Sequence, residues 1–95
     1  MATIPSEELA IVRWTEVQPV IGLKSKSHVE KLEKEERFPE SVKISERAKG
    51  WVRSEIQRWV KAKIAGCTED QIKALVRRMV QERQLFVSEF DEAAA

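Results

Sequence analysis

The chain has 95 residues and a formal net charge of +1, enough for one compact domain plus one extra element. A single cysteine, Cys67, excludes an intramolecular disulfide, and with a single histidine, His28, it leaves no basis for a four-ligand zinc site. No apolar run approaches the roughly 20 residues that cross a bilayer, and Met1 to Glu8 lack the basic flank and apolar segment of a secretory signal, so a cytoplasmic protein is expected.

In chain order, residues 1–10 read as a flexible arm. Ile11 to Trp14 form a short apolar run suited to a strand. Thr15 is the expected N-cap of a first helix that tolerates Pro19 near its start and ends at Gly22. Ser25 caps a second helix running to about Arg37, with Val29 and Leu32 as a narrow buried stripe. Glu30–Lys34 and Glu33–Arg37 are its expected i,i+4 ion pairs. Phe38-Pro39 stops it.

Ser41 to Ile44 alternates polar and apolar residues as a half-buried strand does. Ser45 to Gly50 reads as a hairpin tip and Trp51 as the start of the return strand, with Val42, Ile44 and Trp51 packed beneath. Ser54-Glu55-Ile56 opens a third helix that places Ile56, Trp59, Val60 and the Lys63 stem on one face and ends at Ala65-Gly66. Thr68 to Gln71 is a capping-box pattern. The helix it opens carries a wide apolar stripe of Ile72, Leu75, Val76, Met79, Val80, Phe86 and Phe90, with Asp91 to Ala95 as a loose tail.

This order predicts an α+β, mostly α fold: a winged helix-turn-helix over residues 11–66 with a small β-hairpin wing, followed by an appended amphipathic helix and tail over 67–95. Trp14, Val29, Leu32, Phe38, Trp51, Ile56 and Trp59 are expected to give the winged domain a core of its own, independent of the last helix. Core packing is the expected role of all three tryptophans, in preference to base stacking.

Charge is unevenly placed. Basic residues outnumber acidic ones between Gly22 and Lys63, while each flank is net acidic. A basic centre can hold phosphate while the whole chain stays near neutral, although an ordinary mixed surface has the same composition. In this fold the N-terminal end of the second helix enters a major groove, which nominates Lys24, Ser25, Lys26, Ser27, His28 and Lys31 as DNA contacts. Glu30 in the same stretch accepts from cytosine but repels phosphate. The wing nominates Arg47 and Lys49 at its tip, with Lys43 behind them. The alternative for these lysines is solubility and protection of a strand edge. No third group orients His28 and Cys67 as a catalytic pair, and there are no paired carboxylates and no phosphate-binding glycine loop, so no enzyme, cofactor or metal is expected.

From Arg13 to Lys63 the sequence resembles the AlpA-type prophage regulators, a MerR-like winged-helix group that includes phage excisionases. The matching segments are Val17, Ile21-Gly22-Leu23 with Ser25-Lys26-Ser27, then Phe38-Pro39, Val42-Lys43-Ile44, Arg47-Ala48-Lys49-Gly50-Trp51, and Ser54-Glu55-Ile56 leading to Trp59. The run from Phe-Pro to the second tryptophan is the most specific. The turn is one residue longer than the family pattern, and Glu30, Glu33, Glu35 and Glu36 make the second helix more acidic. The resemblance implies a sequence-specific regulator of transcription, an excisionase that bends DNA beside an integrase partner, or both. Two other expectations stand beside it: a terminase small-subunit-like DNA module, and an adaptor that binds protein through its last helix. The last helix is expected to fold back on its own winged domain, to self-associate through Ile72, Leu75, Val76, Met79, Val80 and Phe86, or to dock a partner such as an integrase.

Overall fold

The computed structural model describes residues 9–94, with side chains to residue 90. The elements run β1 (Ile11–Val12), α1 (Trp14–Ile21), α2 (Lys26–Lys34), β2 (Val42–Ser45), β3 (Ala48–Val52), α3 (Arg53–Ile64) and α4 (Glu69–Ala94). Among the described residues, four helices and a small antiparallel sheet give the expected α+β winged helix-turn-helix with an appended helix. Residues 1–8 of the expected N-terminal arm lie outside the described residues.

The α1–turn–α2 unit is set by local chemistry. The α1 N-cap is Arg13, not Thr15: the Arg13 carbonyl accepts from Glu16 N and Val17 N at 2.9 and 3.1 Å. The strand therefore stops before Trp14, and Pro19 falls in the second turn of the helix. Gly22 adopts φ 76°, the left-handed geometry that ends a helix at no steric cost. Ser25 caps α2 by accepting from His28 N at 3.2 Å. The helix stops at Lys34, short of Arg37, because Glu36 turns left-handed (φ 60°). Its N–H donates to Glu33 O at 3.1 Å and the Arg37 N–H to Leu32 O at 2.8 Å, the Schellman pattern without its usual glycine.

The sheet has the order β1-β3-β2, antiparallel throughout. Ser45 faces Ala48, so the wing turn is the pair Glu46-Arg47 alone. The longer tip expected at Ser45 to Gly50 is corrected: Lys49 and Gly50 are strand residues. Gly50 is needed for close approach, since a Cβ there would lie 2.7 Å from both the Val12 carbonyl and Ile11 Cγ2. Ile44 is exposed and does not pack beneath the hairpin as expected; Trp51 does, and is fully buried.

The core joins Val12, Val17, Ile21, Val29, Leu32, Phe38, Trp51, Ile56 and Trp59 to Ile72 and Val76 of α4. Trp14 is only half-buried and stacks at a tilt on Trp51, 6.0 Å between centroids. Phe38 meets Trp59 edge-on at 4.9 Å. Both buried indoles are satisfied: Trp59 Nε1 donates to Arg37 O at 2.9 Å and Trp51 Nε1 to Glu33 Oε2 at 3.2 Å.

The winged domain therefore does not close its core alone. The capping box forms in both directions, with Thr68 N donating to Gln71 Oε1 at 2.8 Å and Gln71 N to Thr68 Oγ1 at 3.2 Å. It aims α4 back along α3, burying Ile72, Val76 and Met79. Those three are corrected as self-association residues because their own domain covers them; Leu75 and Val80 are half-buried and Phe86 is exposed. The helix continues to Ala94 through the expected loose tail. Arg83 clamps it with one guanidinium edge, Nε and Nη2, on the buried Glu55 carboxylate (Nε to Oε2 2.8 Å) and a further bond from Nη2 to the Glu40 carbonyl. The Glu55 contact holds the Arg83 guanidinium above its ordinary pKa.

Candidate DNA interface

One face of the domain is a cationic groove of about 530 Å³, formed where the N-termini of α1 and α2 meet the wing. Arg13 and Thr15 come from the start of α1, Lys26 from the start of α2, and Lys43, Glu46, Arg47 and Lys49 from the hairpin. Each position follows from the local fold. Arg13 is the N-cap of α1, Lys26 follows the Ser25 cap, and Arg47 is half of the wing turn.

Lys43 and Lys49 face each other across the β2–β3 ladder. Like charges directly opposed are unfavourable in a sheet, so this pair concentrates positive potential at a local cost. Glu30 relieves part of it by accepting from Lys49 Nζ at 2.8 Å. That hydrogen bond, backed by the Lys49 charge, holds the Glu30 carboxyl below the usual carboxylate range. Arg13, Lys26, Lys43 and Arg47 have no ion pair with any carboxylate among the described residues.

Of the residues nominated from sequence, the fold gathers Lys26, Lys43, Arg47 and Lys49 in the groove. Lys24, Ser25, Ser27, His28 and Lys31 are exposed on the turn and first turns of α2, outside the groove wall. The Ser25 hydroxyl is committed to its cap and lies 2.9 Å from Ser27 Oγ. Lys49 lies within β3 with its ammonium tied to Glu30, and not at the wing tip. Sequence reasoning does not nominate Arg13, which the fold places in the groove as the N-cap of α1.

The acidic residues in and just after α2 are bonded within the fold. Glu33 accepts from Ser41 N and Trp51 Nε1, each at 3.2 Å. Glu35 pairs with Arg37 at 3.0 Å and Glu36 with Arg77 at 2.9 Å. The expected Glu30–Lys34 and Glu33–Arg37 pairs do not form, because Lys49 of β3 holds Glu30 while Ser41 N and Trp51 Nε1 hold Glu33. Among the described residues no group of His, Cys, Asp and Glu is arranged to hold a metal, and no helix is long and apolar enough to cross a membrane.

A turn-linked helix pair, a β-hairpin wing and a cationic groove between them define a winged helix-turn-helix protein. The profile of the prophage CP4-57 regulatory protein (AlpA) family matches residues 10–64, over half of the chain, and the chain belongs to that family of phage regulatory DNA-binding proteins. Searches of curated proteins and of solved structures gave no match.

Proposed function

We propose that this protein regulates transcription by placing the N-terminal end of α2 in a major groove, with Arg13 and the Arg47 wing on the flanking backbone. The observation that carries this reading is the groove itself: four cations without carboxylate partners among the described residues converge from three elements, while Glu33, Glu35 and Glu36 are held elsewhere. Lys26, Ser27, His28 and Lys31 then face base edges and phosphates, and Lys24 and Lys43 add backbone contacts. Ser25 contributes through its cap, which fixes the direction of the helix end. Tandem copies docked in this way bend the duplex, the same physical act that excision with an integrase requires. The protein then acts in the cytoplasm without a cofactor.

Footprinting across the locus that encodes the protein tests the reading. Discrete protected sites, with enhanced cleavage between them where the duplex bends, are expected. Uniform protection, or none at concentrations that bind random duplex, contradicts sequence-specific regulation. Protection of attachment-site arms, strengthened by an integrase, assigns excision as well as regulation.

A further inference from the structure

Two apolar surfaces are left uncovered by the described residues. The first is a groove of about 500 Å³ between α1 and α3, lined by Val20, Ile56, Val60 and Ile64 and edged by Glu16, Arg53 and Lys61. The second is the tip of α4, where Leu85, Phe86, Val87 and Phe90 are all exposed. The largest exposures on each side are 81% at Ile64 and 71% at Leu85, high for residues of this size in a chain of 95.

The tip does not cover its own groove. α4 packs along the flank of α3 that carries Glu55 and Arg58, joined to Arg83 and Glu82. The groove opens on the flank that faces α1. Arg83 already meets Glu55 in the first turn of α3, so the residues after it run past the start of that helix. At 1.5 Å per residue they extend about 16 Å further by Ala94.

Charge decides which surface meets which. Residues 86–94 carry Glu89, Asp91 and Glu92 and no cation. Pairing two tips sets acid against acid. The groove edge has the opposite sign: Glu16 lies 3.4 Å from Arg53, and Lys61 has no ion pair among the described residues. Phe86 and Phe90 are one helical turn apart on one face, the i,i+4 spacing by which a helix anchors in an apolar groove.

We propose that the α4 tip of one copy, through Phe86 and Phe90, seats in the α1–α3 groove of a second copy. The contact is head to tail, so every pair leaves one tip and one groove open and the assembly extends. The apolar groove shares no lining residue with the cationic one, which stays open to DNA.

The test is run without DNA, so its outcome is independent of the regulatory reading. Sedimentation velocity compares the full chain with a tip variant (Phe86→Ser with Phe90→Ser) and a groove variant (Val20→Glu with Ile64→Glu). All four positions are exposed, and circular dichroism checks that both variants fold. The unaltered chain is expected to associate beyond dimers as concentration rises, and each variant alone to associate about thirtyfold more weakly, as removal of central aromatic or apolar anchors implies. An equal mixture, with one intact tip and one intact groove, is expected to recover association and stop at dimers. A chain that stays monomeric at all concentrations overturns the proposal. So does a groove variant that associates as well as the unaltered chain, which assigns the contact to tip-to-tip pairing. Lys61→Glu is expected to weaken association and Glu89→Lys in the same chain to restore it; failure of that restoration removes the charge argument.

Discussion

The two ends of α2 carry charge of opposite sign and use it differently. At the N-terminal end Lys26 looks into a groove shared with Arg13, Lys43 and Arg47, and none of the four has a carboxylate partner among the described residues. Toward the C-terminal end Glu33, Glu35 and Glu36 are consumed by Trp51, Ser41, Arg37 and Arg77. The same division separates these four groove cations from Arg58, Arg77 and Arg83, each of which meets a carboxylate. Charge counting cannot tell these sets apart. On the proposed reading, what distinguishes a cation that meets DNA from one that holds the fold is whether the fold has already supplied its counter-charge.

The largest expected effect sharpens the structural side. A chain ending at Gly66 no longer has the cover of Ile72, Val76 and Met79. At roughly 1.5–3 kcal/mol for each buried aliphatic side chain, that is about 5–9 kcal/mol, comparable to the whole stability of a small domain. Urea melts followed by tryptophan fluorescence should find the shortened chain largely unfolded; a cooperative transition of unchanged midpoint would show that α4 is dispensable. Arg83→Met comes next. It strands the buried Glu55 carboxylate and is expected to cost roughly 3 kcal/mol in the same melts. If stability is unchanged, the clamp is ornamental.

On the DNA side the effects are smaller and opposite in kind. Lys26→Ala should weaken binding to the specific site by roughly 1–3 kcal/mol if it removes a base contact, with little change in stability. Glu30→Gln releases Lys49 toward the groove and should raise affinity for random duplex about two- to fivefold at low salt in an anisotropy titration. Weaker binding by that variant would mean that the Glu30–Lys49 bond orders the wing for DNA.

Acid provides the smallest effect. Lys49 and Arg77 hold Glu30 and Glu36 below the ordinary carboxylate range. The stability these pairs contribute is therefore fully present above the unfolded carboxylate pKa and lost as pH falls through the lowered folded values. The Glu30→Gln, Glu36→Gln double variant should show a shallower fall in midpoint between neutral and acid pH.

Features whose cause is local are legible in the sequence. Gly22, the Ser25 cap and the Thr68–Gln71 box each act within a few residues, and the structure has all three. The early end of α2 is not legible, because a glutamate occupies the left-handed position where glycine is the usual signal. The wing reads too long because Gly50, a common turn residue, serves instead as the close-approach point for β1. The partners of the α2 acids are hidden for a different reason: Glu33 and Trp51, or Glu36 and Arg77, meet only after the chain has folded. Helical spacing offers nearer partners, and the tertiary ones win. Arg13 escapes a sequence reading because its place in the groove comes from the three elements that converge around it.

The most direct test is the salt dependence of DNA affinity for single alanine variants from the two sets. Removing one phosphate-binding cation should reduce the slope of log K against log salt by about 0.9. Arg13→Ala, Lys26→Ala and Arg47→Ala are each expected to show that reduction, while Arg58→Ala and Arg77→Ala keep the slope of the unaltered chain. Equal reductions in both sets, or none in either, would contradict the claim that the fold sorts its cations by whether it has paired them.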